Sequence, residues 1–182
     1  SGGQAAHVAL VRALAARPAV LIVDEPLAAV DVKSAERWRR FLHAARADRT
    51  TLLVTHDALD IAHLAQDMLV MESGQVRAHG ATARLLEAPP TGFVAALAGL
   101  NRLEGTVTEI GASAVEVACS DITVLATTED ASFEPGQKVA VTFAPHAATI
   151  GAAPEACNQW AARVLAVEAT SLAAAQLRVD LG

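Results

Sequence analysis

A layered α/β unit followed by a small all-β barrel is the fold class this sequence predicts, and three observations predict it. Short apolar runs such as residues 19–23 and 50–55 alternate with helix-like stretches from residue 5 to residue 79, the pattern of a buried parallel sheet layered with helices. After the Pro89-Pro90 break, that alternation gives way to short strands separated by turn signals, the spacing of a small barrel. The hydrophobic fraction is 53% in 182 residues, enough for a real core, while aromatics are only 3%. The core is therefore expected to be built from Ala, Val, Leu and Ile.

Each element follows from local pattern. Residues 5–16, AAHVALVRALAA, have the alanine content and apolar spacing of a helix, and Arg17-Pro18 stops it. Residues 19–23, AVLIV, form an unbroken apolar run that predicts a strand buried on both faces, ending in Asp24-Glu25-Pro26. Residues 34–47 predict an amphipathic helix with Arg37, Arg39 and Arg40 exposed. Residues 50–55, TTLLVT, predict a second buried strand with His56-Asp57 at its end, and residues 58–66 a helix. Residues 68–72 and 75–79 read as strands turned by Ser73-Gly74. Two small helices follow at 83–87 and 92–100. Short strands are then expected at 103–110, 114–119, 122–127 and 136–143, with a turn at Glu134-Pro135-Gly136-Gln137. The expected domains are 1–100 and 101–182. Within the second, residues 101–107 align with 158–164 and Ile110 with Val167, an internal repeat whose second copy is incomplete at Gly182.

Composition excludes some functions. The net charge is -6 and no basic stripe occurs, a poor footing for nucleic-acid binding. No apolar run reaches the roughly 20 residues that span a bilayer, and none of these residues reads as a signal peptide. Cys119 and Cys157 lack metal-ligand spacing and read as reduced structural thiols.

Three short motifs carry chemistry, each weak alone. Ser1-Gly2-Gly3-Gln4 stands before a helix, where free backbone N–H groups and the helix dipole make an anion site, although Gly-Gly there is commonly only a flexible entry. Asp24 and Glu25 are adjacent carboxylates at the carboxyl end of a parallel strand, where α/β sheets bind ligands. Their side chains point oppositely, so one can hold Mg²⁺ and the other polarise a water. His56 ends the next parallel strand and is expected beside Glu25, able to donate to a phosphate oxygen.

In this order, SGGQ, LIVDEP, LAAVD and VTHD resemble the motif series of the ATP-binding cassette (ABC) family over roughly residues 1–80. The resemblance implies a P-loop fold in which two cassettes sandwich two ATP molecules, each held by the P-loop of one and the signature of the other. Ser1, Gly2, Gly3 and Gln4 match the signature and Asp31 the D-loop aspartate, both facing the partner's ATP. Asp24 matches the Walker B aspartate, a Mg²⁺ ligand directly or through water. Glu25 matches the catalytic glutamate and His56 the switch histidine. The implied cofactors are ATP and Mg²⁺. The implied partners are a second ATPase subunit in a homodimer, transmembrane permease subunits and, indirectly, a periplasmic or surface substrate-binding protein. The implied location is peripheral, on the cytoplasmic face of the cell membrane.

The β region resembles the TOBE domain, an OB-like barrel appended to importer cassettes. Residues 93–107, FVAALAGLNRLEGTV, are most similar to the join between cassette and barrel in molybdate importers. Molybdate is thus the expected cargo, with sulfate, polyamine, sugar or iron as alternatives and an oxyanion-sensing module as a further one. Asn101 and Asn158 match the Asn of the oxyanion cradle in such barrels, but its Arg is absent at both places. Other departures stand in the cassette. Ala6 and His7 replace the Gln and basic residue that usually follow the signature, and Ala28 replaces a D-loop serine. No G-x-x-x-x-G-K-[ST] occurs in the chain and no Gln-loop precedes the signature. Truncation at both ends is the expectation, with negligible ATP hydrolysis by the chain alone.

Overall fold

Alanine-rich and unbroken by proline, the first segment coils into helix α1 (Gly2–Ala15). It is closed by Arg17, whose left-handed backbone returns an N–H to the Leu14 carbonyl at 3.0 Å before Pro18. The computed structural model describes residues 2–127, 132–148, 157–171 and 174–180, and the chain divides into two units, Ser1–Gly99 and Leu100–Gly182.

In the first unit β1 (Val20–Asp24) leads through a turn to α2 (Val32–Ala45), and β2 (Thr50–Val54) returns parallel to β1. The register runs from Val20 opposite Thr50 to Asp24 opposite Val54, so both strands end together. Then come α3 (Ala58–Leu64) and a hairpin of β3 (Asp67–Glu72) and β4 (Gln75–Ala81), followed by α4 (Thr82–Glu87) and α5 (Gly92–Leu97). The hairpin turns on Ser73 and Gly74, both with positive φ (51° and 73°), the twist a two-residue β-turn requires. One cluster packs Leu10 of α1 and Leu42 of α2 on Leu21 and Val23 of β1. A second gathers Ile61, Met68, Val70 and Val94 from α3, β3 and α5.

Three sequence expectations are corrected here. α1 begins at Gly2 rather than Ala5, so Gly2, Gly3 and Gln4 lie within its first turn; the first-turn N–H groups of a helix have no acceptor inside it in either case. β1 is buried on one face only, and in β2 only Leu53 is even partly buried. Val20, Ile22, Leu52 and Val54 are exposed, because α1 and α2 pack on the opposite face and no described element covers this one. Arg39, expected to be exposed beside Arg37 and Arg40, is buried. It shares the inward stripe of α2 with Ala35 and Leu42.

The second unit is all-β. β5 (Asn101–Ile110), β6 (Ala114–Cys119), β7 (Ile122–Thr127) and β8 (Lys138–Phe143) form an antiparallel sheet in the order β7-β6-β5-β8. β9 (Arg163–Ser171) and β10 (Ala174–Asp180) form a two-stranded antiparallel sheet. Among the described residues these sheets are open rather than joined into one closed barrel. Val115, Val117, Cys119 and Val124 make the core, with Trp160 and Phe133 against it. β5 crosses so close to β6 that a Cβ at Gly105 would lie 2.4 Å from the Ala118 carbonyl oxygen and 2.7 Å from Cys119 Sγ; only glycine fits. Asn158 lies ahead of β9, outside any strand. Its side-chain amide bonds both the N–H (2.7 Å) and the carbonyl (2.9 Å) of Leu125, and Trp160 Nε1 donates to the Thr123 carbonyl at 3.0 Å. Side chains thus satisfy backbone groups on the outer edge of β7.

Candidate functional site

The parallel pairing of β1 and β2 sets the site, because both strands stop at the same level. The Glu25 N–H continues the ladder to the Val54 carbonyl at 2.9 Å. Glu25 itself has φ 44°, a left-handed backbone that costs a non-glycine residue about 1–2 kcal/mol. Such strain persists where surrounding contacts over-determine it, and here it turns the Glu25 carboxylate toward the end of β2. There Glu25 Oε1 lies 2.6 Å from His56 Nδ1 and accepts from the His56 backbone N–H at 3.2 Å. The imidazole is 75% exposed and the Glu25 side chain 34%. The pair therefore faces solvent and is open to a ligand.

With Nδ1–H donating to Glu25, the ring presents Nε2 on its other side. As an imidazolium it donates from both nitrogens at once. Both bonds from His56 fall on Oε1, and Oε2 is the oxygen left to take a proton or orient a water.

Asp24 closes β1, exposed, opposite Val54. Among the described residues, no group of three or more His, Cys, Asp or Glu is gathered to hold a metal ion. A cation at Asp24 would take most of its ligands from water and phosphate, which is how Mg²⁺ is usually held; the residues present fit that mode.

Asp31 caps α2, its Oδ1 accepting from the Ser34 N–H at 3.1 Å. Hydrogen bonds from Ser34, side chain and backbone, hold its carboxyl below the usual aspartate range. Between Glu25 and Asp31 the chain turns tightly, with Ala28 N–H on the Glu25 carbonyl (3.3 Å) and Val30 N–H on that of Leu27 (3.1 Å). Ser1 lies outside the described residues, and Gly2, Gly3 and Gln4 occupy the opening turn of α1. Glu25 and His56 are thus in direct contact, whereas Asp31 is bonded to its own helix.

Sequence reasoning missed the residues that frame His56. Arg39 Nε bonds Asp60 Oδ1 at 2.5 Å and Nη2 reaches Asp57 Oδ1 at 3.3 Å. Asp57 also caps α3 through the Leu59 and Asp60 N–H groups, at 2.8 and 3.0 Å. Two signals were available. Arg39 falls at helical spacing between the buried Ala35 and Leu42. Asp57 and Asp60 have the spacing of a reciprocal helix cap.

Comparison with known proteins gives a consistent kinship. The chain is 47% identical over 109 residues to the molybdenum import ATP-binding protein ModC of Mycobacterium tuberculosis, covering 59% of this chain and 30% of that protein. It is 42% identical over 118 residues to the sn-glycerol-3-phosphate import ATP-binding protein UgpC of Paraburkholderia xenovorans, covering 62% and 32%. It is 39% identical over 122 residues to the sulfate/thiosulfate import ATP-binding protein CysA of Xylella fastidiosa, covering 65% and 34%. The chain thus spans about a third of the length of these relatives. No protein-family model matches it. A solved metal-chelate type ABC transporter in an inward-facing conformation aligns with a TM-score of 0.45 at 23% identity, over 60% of this chain and 43% of that one.

Proposed function

We propose, from its homology to the ATP-binding subunits of ABC importers, that this chain carries the water-activating half of an importer ATPase site. The observation that supports this most directly is the 2.6 Å contact between Glu25 and His56 at the ends of two adjacent parallel strands. Glu25 takes the role of the base that polarises the attacking water. His56 orients Glu25 through Nδ1 and, protonated, donates to the phosphate being transferred. Asp24 takes the Mg²⁺ role, directly or through water. That ion supplies charge neutralisation on the phosphates when bound. The opening turn of α1, with Ser1, and Asp31 would contact the ATP of a second ATPase subunit in a homodimer.

The phosphate cradle G-x-x-x-x-G-K-[ST] is not in this sequence. The chain by itself is therefore proposed to hydrolyse ATP negligibly. Residues 1–100 are assigned to the ATPase domain and 101–182 to a TOBE-like domain. Permease subunits would hold the protein at the cytoplasmic face of the membrane; no helix of the described residues is long and apolar enough to cross it. Molybdate is the favoured cargo, supported by the 47% identity to a molybdenum importer subunit against 39–42% for glycerol-phosphate and sulfate ones.

The test is a hybrid in which residues 1–99 replace the homologous segment of the M. tuberculosis relative, which then supplies the remainder of the cassette. The hybrid is expected to hydrolyse ATP. Glu25→Gln should lower turnover by about a hundredfold or more while ATP is still bound, as losing a group aimed at the reacting centre does. Undiminished turnover in Glu25→Gln would remove Glu25 from the role.

A further inference from the structure

We propose that Arg39 is the positioning residue for His56, its guanidinium holding the turn that presents the imidazole to Glu25. The proposal rests on reading Glu25 and His56 as the hydrolytic pair. His56 is itself exposed, and its described bonds both run to Glu25. Its neighbours on either side are tied down. Thr55 Oγ1 donates to Asp60 Oδ2 at 3.4 Å and accepts from the Asp57 N–H at 3.1 Å. Asp57 and Asp60 both receive the guanidinium of Arg39, whose side chain is 10% exposed, against 3% for Asp60. One planar cation therefore clamps the two carboxylates that frame the 55–57 turn, a geometry that suits an arginine fork and not a point charge.

Stability alone does not account for this cluster. A buried ion pair is costly to desolvate, and apolar residues of similar volume commonly do as well or better. What the cluster adds is placement. α2 follows Glu25 by one short turn and carries Arg39, and Arg39 grips the segment after β2. The chain thus closes a ring from Glu25 through α2 and Arg39 to His56, and back to Glu25 through the 2.6 Å contact. Removing Arg39 opens that ring at the point that sets the ring orientation of His56.

The experiment is nuclear magnetic resonance of the 182-residue chain, following the His56 imidazole resonances and the exchange rate of its backbone N–H. Glu25→Gln marks where those resonances move when the contact is lost. The paired substitution Arg39→Met with Asp60→Leu replaces the buried charges by apolar contacts. It is expected to melt near the parent while the His56 imidazole shifts toward the Glu25→Gln position. Its N–H should exchange about tenfold faster, the equivalent of one hydrogen bond lost, with the amides of β1 and β2 unchanged. Arg39→Lys, whose ammonium reaches one carboxylate only, should show the same displacement to a smaller degree. It carries the test if the paired variant does not fold. A folded variant with unmoved His56 resonances and unchanged exchange would overturn the proposal. No ATP is involved in these readouts, so a failure of the hydrolytic reading shows in the hybrid ATPase and not in these spectra.

Discussion

Glu25 combines a side chain suited to proton abstraction with a backbone few non-glycine residues adopt. The two facts are linked: φ 44° directs the carboxylate to His56, and the Val54 and His56 bonds hold it there. Relieving the strain should therefore be separable from losing the carboxylate. Glu25→Ala removes the side chain and keeps the strain, whereas Glu25→Gly removes both. Glycine should be the more stable of the two by about 1 kcal/mol, although glycine gains more freedom than alanine on unfolding. Denaturant melts of the two variants decide this, and an alanine variant at least as stable as glycine would show that the backbone is not strained. At this scale the sequence was informative about Asp24, Glu25 and His56, because neighbouring parallel strands bring their carboxyl ends together whatever the detailed packing. It misplaced Arg39, because a charge on an amphipathic helix is ordinarily assigned to the wet face. The buried Asp60 supplies the partner that makes its position on the inward stripe intelligible.

Elements were legible to the extent that local chemistry sets them. Apolar runs mark β1 and β2, Ser73-Gly74 marks the hairpin and His56-Asp57 marks the start of α3, whereas α2 begins at Val32 behind its Asp31 cap and not at the expected Ser34. What covers an apolar strand is not local, and so the exposed face of Val20, Ile22, Leu52 and Val54 could not be read from the pattern of β1 and β2. Nor is it local that Asn101 opens β5 while Asn158 bonds the edge of β7. The same residue type can begin a strand or bond to the edge of one, and tertiary context decides between them. The cap at Asp31 yields a pH prediction. Its carboxyl is held below the usual range by Ser34. Its stabilising effect is therefore complete above the unfolded-state value of about 4 and is lost as pH falls through the lower folded value. Asp31→Asn keeps a capping oxygen without the charge. The parent should melt above this variant at neutral pH, and the gap should close under acid conditions. Melting curves followed by circular dichroism across that range test this, and a gap independent of pH would assign the effect to geometry and not to charge.

At the scale of the whole molecule the division lies between Gly99 and Leu100, close to where helix–strand alternation gives way to short strands. Composition marks such a change because helices and strands draw on different residues, but it does not say which side of the break a small helix serves. α5 illustrates the point. It follows Pro89-Pro90, yet Val94 is fully buried against Ile61, Met68 and Val70, with Leu97 packed beside them. The first unit therefore extends past the proline break, and truncation should expose this. A version ending at Gly99 retains both core clusters of the first unit and is expected to unfold cooperatively. A version ending at Pro90 loses Val94 and Leu97 and leaves Ile61 and Met68 open to water. At about 1.5–3 kcal/mol for each buried aliphatic side chain, the shorter version should lose roughly 3 kcal/mol or more. That is a large share of a small unit's stability. Thermal denaturation of the two versions side by side is the measurement. Equal melting temperatures would mean that α5 contributes nothing to the first unit and that the boundary belongs at the prolines.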